Sequence, residues 1–171
     1  AILNLFNQTG IEGDKYISCD VARFGSDKTV IMYWEGLHIK KIRTMLKSAI
    51  NEVVEEVRKI QQQYSVRLTN IIVDEDGVGG GVKDYMRCRG FVNNSRPIKG
   101  ENYQNLKTQC YYKLADMINT AQIGIECPDI NTKNQIIEEL EQVRTKDADK
   151  DNKLKIIPVS YTHLRAHETT R

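Results

Sequence analysis

Residues 71–86 read IIVDEDGVGGGVKDYM, an apolar run that ends in acids and passes through glycines into a helical pattern. The run from Asn70 to Val73 is typical of a short buried strand, and Val82–Cys88 of a helix that Gly90 ends. A strand, a glycine-rich turn and a helix in this order have two common uses. The turn binds a phosphate group, or the strand end presents a carboxylate to a metal ion.

The glycines do not match the known phosphate-binding patterns. A Walker A loop requires G-x-x-x-x-G-K-[ST], but counting from Gly77 the second glycine position holds Val82, and Lys83 is followed by Asp84. The dinucleotide pattern G-x-G-x-x-G also fails at Val82. Backbone N–H groups at such a turn still attract anions, so weaker contact with a DNA phosphate stays open.

The acids favour the second use. Asp74 follows the strand IIV, and Asp20 closes an earlier strand, YISCD, in the same manner. If the two strands are neighbours, both carboxylates emerge at the strand ends where α/β sheets place their ligands. Converging carboxylates repel each other unless a divalent cation neutralises them, and two Mg²⁺ ions about 3.5–4 Å apart can drive phosphodiester cleavage. The alternative is that both acids are ordinary turn or N-cap residues.

The rest of the chain predicts one α/β domain. Three strands come first, joined by ARFGSD and by the two-residue loop Glu35-Gly36, which predicts an antiparallel arrangement. Helices and strands then alternate, so we expect a mixed sheet flanked by helices. The predicted strands are Lys15–Asp20, Thr29–Trp34, Leu37–Arg43, Asn70–Val73, Arg96–Lys99, Gln122–Glu126 and Leu154–Ile157; the predicted helices are one capped by Ser48, then Val82–Cys88, Tyr103–Thr120 and Asn131–Arg144.

Composition narrows the class of protein. The chain has 171 residues and a net charge of +2, which does not by itself indicate a nucleic-acid binder. Its four cysteines are scattered without a C-x-x-C pair, as expected of reduced thiols rather than a zinc site. No run approaches the roughly 18 apolar residues of a membrane span. No secretory signal pattern is visible.

Both ends of the sequence deviate from an ordinary domain. The first residue is Ala1 rather than Met, so we expect a fragment of a longer protein. The last residues, VSYTHLRAHETTR, continue neither a helical nor a strand pattern and look like translated adapter sequence. We therefore expect one domain over residues 1–158 that is incomplete at its C-terminus, and a non-native disordered tail over residues 159–171.

CDVARFGSDKTVIMYWEG together with IIVDEDGVGGGVKDYM resembles the nuclease domain of the large terminase subunit of tailed bacteriophages. The resemblance runs from about Tyr16 to Pro158. It implies a ribonuclease H-like fold and a Mg²⁺- or Mn²⁺-dependent endonuclease that cuts concatemeric viral DNA during packaging. Asp20 and Asp74 match the catalytic, metal-binding acids. The resemblance also implies double-stranded viral DNA, a packaging ATPase domain in cis, the portal and the small terminase subunit as partners, in the host bacterial cytoplasm and without a membrane.

The chain departs from that family after KLKIIP. Family members continue into an S-P-D-x-x-D-A type segment that carries a third acidic metal ligand, which is absent here. We therefore expect an impaired site. Lys83, Arg87 and Arg89 follow the glycine turn and are candidates for DNA-phosphate contact, although solvated helix faces are equally rich in Lys and Arg.

Other acids near the two candidates receive weaker roles. Glu75 and Asp76 flank Asp74, and one of them is a candidate for a water-mediated ligand position. Asp27 lies in the first hairpin, where a turn role is favoured over a metal role.

Two other functions stay open at this stage. An actin- or hexokinase-type ATP-binding domain shares an early hairpin with an acid, but it requires a glycine-rich phosphate loop where ARFGSDKT has one glycine. A non-catalytic DNA-binding or docking module with the same fold is the other alternative. Nucleotide binding would identify the ATP-binding domain. The absence of any response to metal would identify the non-catalytic module.

Overall fold

A computed structural model describes residues 1–22, 27–146 and 153–157. The boundary at residue 158 and the predicted tail lie outside the described residues. The strands are β1 (Lys15–Asp20), β2 (Lys28–Glu35), β3 (His38–Leu46), β4 (Ile71–Asp74), β5 (Arg89–Phe91), β6 (Gly124–Ile125), β7 (Arg144–Lys146) and β8 (Lys155–Ile157); the helices are α1 (Ile50–Tyr64), α2 (Gly79–Met86), α3 (Leu106–Asn119) and α4 (Ile130–Gln142).

The first three strands form the predicted antiparallel meander. Along β2, Thr29, Ile31 and Tyr33 are buried and the residues between them are half-buried, as expected of a strand covered on both faces. The turn into β3 depends on Gly36, which has φ of +59°. A Cβ atom there would lie 2.2 Å from the carbonyl oxygen of Ile11, so both its φ and its close packing favour glycine.

β4 lies beside β1 and runs parallel to it. The strand order is β5-β4-β1-β2-β3-β6, a six-stranded mixed sheet with antiparallel strands followed by parallel ones. β3 and β4 run in the same direction with β1 and β2 between them, and α1 makes the crossover that the spacing predicted. The mixed α/β fold flanked by four helices is confirmed.

The sheet is covered on both faces. On one face, α1 packs Val53, Val57 and Ile60 against alternate residues of β1 and β4 such as Ile17 and Ile71. The other face supports a second core, in which residues of α3, α4 and the N-terminal segment pack against β2, β3 and β6. The other alternate residues of β1 and β4, including both predicted acids, point to this second face, beyond the edge of its core.

Some predicted elements were wrong. The strand predicted at Arg96–Lys99 is absent, and a 3₁₀ helix covers Ile98–Gly100 instead. The strand in this part of the protein is β5. It begins at Arg89, where the sequence predicts the end of a helix and a turn. Its three residues carry too little pattern to be recognised, since pairing with β4 rather than propensity makes it a strand.

Several boundaries also moved. α1 has Ala49 rather than Ser48 at its N-cap, and α2 begins at Gly79, three residues before the predicted start. β7 was not predicted, and it pairs with β8 in a separate two-stranded sheet. Within the described segments, no helix combines the length and apolar character needed to cross a bilayer.

Candidate metal centre

Asp20 and Asp74 are the last residues of two adjacent parallel strands. β1 and β4 pair in register with Cys19 opposite Val73, so the next position along each strand is an acid. Their side chains leave the same face of the sheet, because residues of one register row share a face. The two carboxylates predicted to converge are therefore neighbours at one end of the sheet.

Both acids line a cavity of about 390 Å³ between the sheet and α4. Ile72 and Phe91 contribute apolar surface on the side of β4 and β5, and Ile136 contributes it from α4. Polar groups of α4, including Glu139, stand at the same cavity. The carboxylates thus lie beside a largely apolar recess, with Asp74 half-buried and Asp20 still exposed to solvent.

The pKa of Asp20 is raised above the usual aspartate value. Loss of hydration among the surrounding protein atoms is the largest cause, even though water still reaches the residue, and the charge of Asp74 is the next. The ammonium group of Lys107 on α3 opposes this rise in pKa, and Glu139 adds to it. Such a site favours any cation that relieves the repulsion between its carboxylates.

The carboxylate of Asp74 is held from two sides. Its Oδ1 accepts a hydrogen bond from the backbone N–H of Asp76 at 2.9 Å, which closes a tight turn after β4. Its Oδ2 accepts one from the side-chain amide of Asn93 at 3.4 Å. The side chain of Asp76 is engaged by Asn93 as well. Asp76 therefore contacts the loop after β5.

Glu75 forms an ion pair with Lys83. Its Oε1 accepts a hydrogen bond from the Nζ of Lys83 at 2.9 Å, and its side chain packs against Gly90. The Nζ of Lys83 also lies 3.8 Å from Oδ1 of Asp84. Both acids raise the pKa of Lys83, the hydrogen bond to Glu75 most strongly. Of the three predicted phosphate contacts, Lys83 is thus already paired with carboxylates.

Arg87 and Arg89 are exposed. Arg87 follows the last residue of α2, which begins beside Asp74 and runs away from it over eight residues, about 12 Å at the helical rise. Arg89 opens β5 opposite Ile72, two positions before Phe91 and hence on the face that contains the cavity. Arg89 lies on the cavity face, and Arg87 lies at the far end of α2.

Sequence reasoning missed three residues of this region: Asn93, Lys107 and Glu139. Asn93 follows β5, which was itself not recognised, and the other two face the site from helices distant in sequence. The helical periodicity of the sequence around Lys107 and Glu139 indicates only that both lie on helix surfaces. Asn93 had one weak signal, a pair of asparagines after a Gly-Phe-Val run.

The donor set suits a hard divalent cation. Carboxylate oxygens are the ligands that Mg²⁺ and Mn²⁺ prefer, and Mg²⁺ commonly binds through one or two carboxylates while keeping several waters. In residues 1–22, 27–146 and 153–157, no group of three or more His, Cys, Asp and Glu side chains is arranged to hold a metal ion. Asp20 and Asp74 match the type of site that binds Mg²⁺ through two carboxylates.

Known structures share this architecture. The nuclease domain of the large terminase subunit gp2 of bacterial virus Sf6 superposes with a TM-score of 0.78 at 17% identity, over 91% of this chain and 82% of that one. The large terminase nuclease from thermophilic phage G20c superposes with a TM-score of 0.60 at 14% identity, over 91% and 86%. The fold is that of phage terminase nuclease domains. No protein-family model matches the sequence, and no curated protein matches it.

Further terminase structures bear on size and on metals. A large terminase from another thermophilic bacteriophage superposes over 97% of this chain but 43% of its own length, with a TM-score of 0.55 at 13% identity. The Sf6 nuclease domain was solved with manganese and with calcium as a point mutant, and the G20c nuclease with bound magnesium. Those proteins with the terminase nuclease fold were thus solved together with divalent ions.

Proposed function

We propose that this chain is a metal-dependent DNA endonuclease module of a phage packaging terminase. One observation carries the proposal: Asp20 and Asp74 end adjacent parallel strands of a terminase nuclease fold, and their carboxylates face a single cavity. The neighbouring structures support divalent ions at such a fold, because they were solved with manganese, calcium and magnesium.

Asp20 and Asp74 would bind Mg²⁺ or Mn²⁺ as a two-metal site. Bound there, the ions would supply an activated water and stabilise the leaving oxygen of the phosphodiester. The protein's own residues arrange the ligands. Asp76 and Asn93 fix the orientation of Asp74 through hydrogen bonds, and Lys107 lowers the pKa of Asp20 against the opposing effects of burial and of Asp74.

A site with only the carboxylates of Asp20 and Asp74 would cut DNA slowly. Two carboxylates neutralise two divalent ions less well than three, and the second ion is the one most weakened. Relatives with an S-P-D-x-x-D-A segment would supply the third carboxylate, by the resemblance described above. We accordingly propose that slow cleavage by such a site would result from weak metal binding rather than from a defect in the fold.

Plasmid nicking tests the proposal. Replacing residues 159–171 with a segment bearing the third acid is expected to raise Mn²⁺-dependent nicking of supercoiled DNA at least a hundredfold, or about 2.7 kcal/mol in the barrier. The same replacement with Asn in place of that acid is the control and should stay at the starting rate. Equal rates for the original and the extended chain would contradict the account of impairment, and no metal-dependent nicking by either would contradict the proposed function.

The exposed arginines provide a separate prediction about DNA binding. Lys83 forms an ion pair with Glu75. Of the three candidates, Arg89, and then Arg87, are therefore expected to contact phosphate. Arg89→Gln should weaken binding and reduce the slope of log K against log salt by about 0.9, the value for one phosphate contact. Binding to duplex DNA is measured in Ca²⁺ over a range of salt concentrations.

Arg58→Gln is the matched control, because Arg58 is an exposed arginine on α1, which packs on the other face of the sheet. It should leave the salt slope unchanged. If Arg58→Gln and Arg89→Gln lower the slope equally, the positive charge acts through the whole molecule and Arg89 makes no specific contact.

The alternatives predict different outcomes. An ATP-binding domain would gain thermal stability from ATP with Mg²⁺ rather than from Mn²⁺ alone, and a non-catalytic docking module would respond to DNA but not to metal. The remaining family expectations are part of the proposal: a packaging ATPase domain in cis, the portal and small terminase subunit as partners, and action in the bacterial host cytoplasm.

A further inference from the structure

Asn93 connects the loop after β4 to the loop after β5. Its side-chain amide donates hydrogen bonds to Oδ2 of Asp76 at 2.6 Å and to Oδ2 of Asp74 at 3.4 Å. Its backbone N–H donates to the same oxygen of Asp76 at 3.0 Å. One neutral side chain thus bridges two carboxylates that would otherwise repel each other.

The chemistry of the neighbours fixes the orientation of this amide. Both groups facing it are carboxylates, which accept hydrogen bonds and donate none when ionised. Only the NH₂ end of Asn93 satisfies them, so the amide cannot be turned over without placing its oxygen against two anions. The contact therefore requires a donor at this position, and an isosteric residue without N–H groups cannot replace it.

The backbone around Asn93 is anchored independently of its side chain. Its carbonyl oxygen accepts a hydrogen bond from the N–H of Lys107 at 3.1 Å, and the carbonyl of Ser95 accepts one from Leu106 at 2.8 Å. Asn94, next in the loop, accepts a hydrogen bond from the amide of Asn105 at 3.1 Å. The first turn of α3 therefore holds this loop in place, and the side chain of Asn93 is free to act on the acids.

We propose that Asn93 is a positioning residue of the metal site, which holds the Asp74 carboxylate in the orientation that a divalent cation needs. The inference rests on the proposed function and adds to it a residue outside the pair of ligands. An ionised carboxylate has about four lone-pair sites. Asp76 N–H takes one on Oδ1 and Asn93 takes one on Oδ2, which leaves one on each oxygen for the cation.

Metal affinity tests this role apart from catalysis. Asn93→Leu keeps the size of the side chain and removes both donors, and its Kd for Mn²⁺, measured by calorimetry or by the EPR signal of free Mn²⁺, is expected to rise at least tenfold. Loss of a residue that orients a ligand typically weakens metal binding about 10- to 100-fold. Asn94→Leu makes the same change one residue later and should leave the Kd within twofold.

Metal-free thermal unfolding separates positioning from folding. Asn94→Leu loses the side-chain bond to Asn105, but both variants keep the backbone hydrogen bonds from Lys107 and Leu106. The midpoint of Asn93→Leu without metal should therefore lie close to that of Asn94→Leu. Asn93→Ser serves as a second variant if Leu prevents folding, because serine suits a loop but is too short to reach both carboxylates. It too should raise the Kd about tenfold or more.

The outcomes distinguish the inference from the function on which it rests. If the unaltered chain binds Mn²⁺ and Asp74→Asn does not, while Asn93→Leu binds within twofold of the unaltered chain, Asn93 has no positioning role and the proposed function stands. If Asn94→Leu weakens binding as much as Asn93→Leu, loop folding rather than the amide controls the site, and the inference is overturned. If the unaltered chain binds no Mn²⁺, both fail.

Discussion

Asp20→Asn combined with Asp74→Asn is expected to abolish the stabilisation of the protein by Mn²⁺, and Asp20→Asn alone is expected to leave the metal-free protein slightly more stable. The first effect follows from mass action, since a ligand that binds only the folded state adds about 2.7 kcal/mol at a hundred times its Kd. An amide in place of either carboxylate removes an anionic ligand. The Mn²⁺-induced rise in the thermal midpoint should therefore disappear in the double variant.

The metal-free effect has the opposite sign. Burial and the charge of Asp74 both raise the pKa of Asp20, which means that the folded state penalises the second carboxylate. Asparagine at position 20 removes that repulsion, so Asp20→Asn should gain roughly 0.5 kcal/mol of stability without metal, the scale of one exposed charge interaction. Groups retained for function at a cost in stability are a common feature of active sites.

Asp116→Asn provides the control for both measurements. Asp116 is an exposed acid near the end of α3, and the substitution makes the same chemical change away from the cavity. It should keep the full response to Mn²⁺. A double variant that still responds to Mn²⁺ would place the metal elsewhere, and a metal-free loss of stability in Asp20→Asn would show that the Asp20 carboxylate forms a structural contact instead.

The sheet and its acid pair could be predicted because their signals are local. Alternating apolar residues define β1, β2 and β3, and the short run before Asp74 defines β4. Each acid is the last residue of its strand, so the parallel pairing of β1 and β4 was enough to bring Asp20 and Asp74 together.

The surroundings of the pair could not be predicted, because they depend on tertiary contacts. β5 has three residues and is a strand only because β4 pairs with it, so the position of Asn93 was hidden. The ion pair between Lys83 and Glu75 could not be predicted because the first turn of α2 was not recognised. Glycine is among the weakest helix formers, and a helix that begins at Gly79 has no propensity signal for its first turn.

Two of the three glycines that open α2, Gly79 and Gly80, are expected to differ sharply in their tolerance of alanine. A Cβ atom on Gly79 would lie 1.7 Å from the carbonyl oxygen of Asp74, which is backbone of the strand that positions the metal ligand. Relief requires either α2 or the end of β4 to move. Gly79→Ala should therefore lower the free energy of unfolding by about 3 kcal/mol, the upper range for overpacking, and should also weaken Mn²⁺ binding.

Gly80→Ala is the matched control, one residue further along the same helix. Its added Cβ would have the carbonyl oxygen of Glu75 as its nearest neighbour, at 3.8 Å, an ordinary contact. Because alanine is the better helix former, this variant should be neutral or more stable by up to about 1 kcal/mol in urea denaturation. Comparable stabilities of the two variants would contradict the close approach of α2 to β4, whereas the predicted difference assigns Gly79 to packing behind the carboxylate of Asp74.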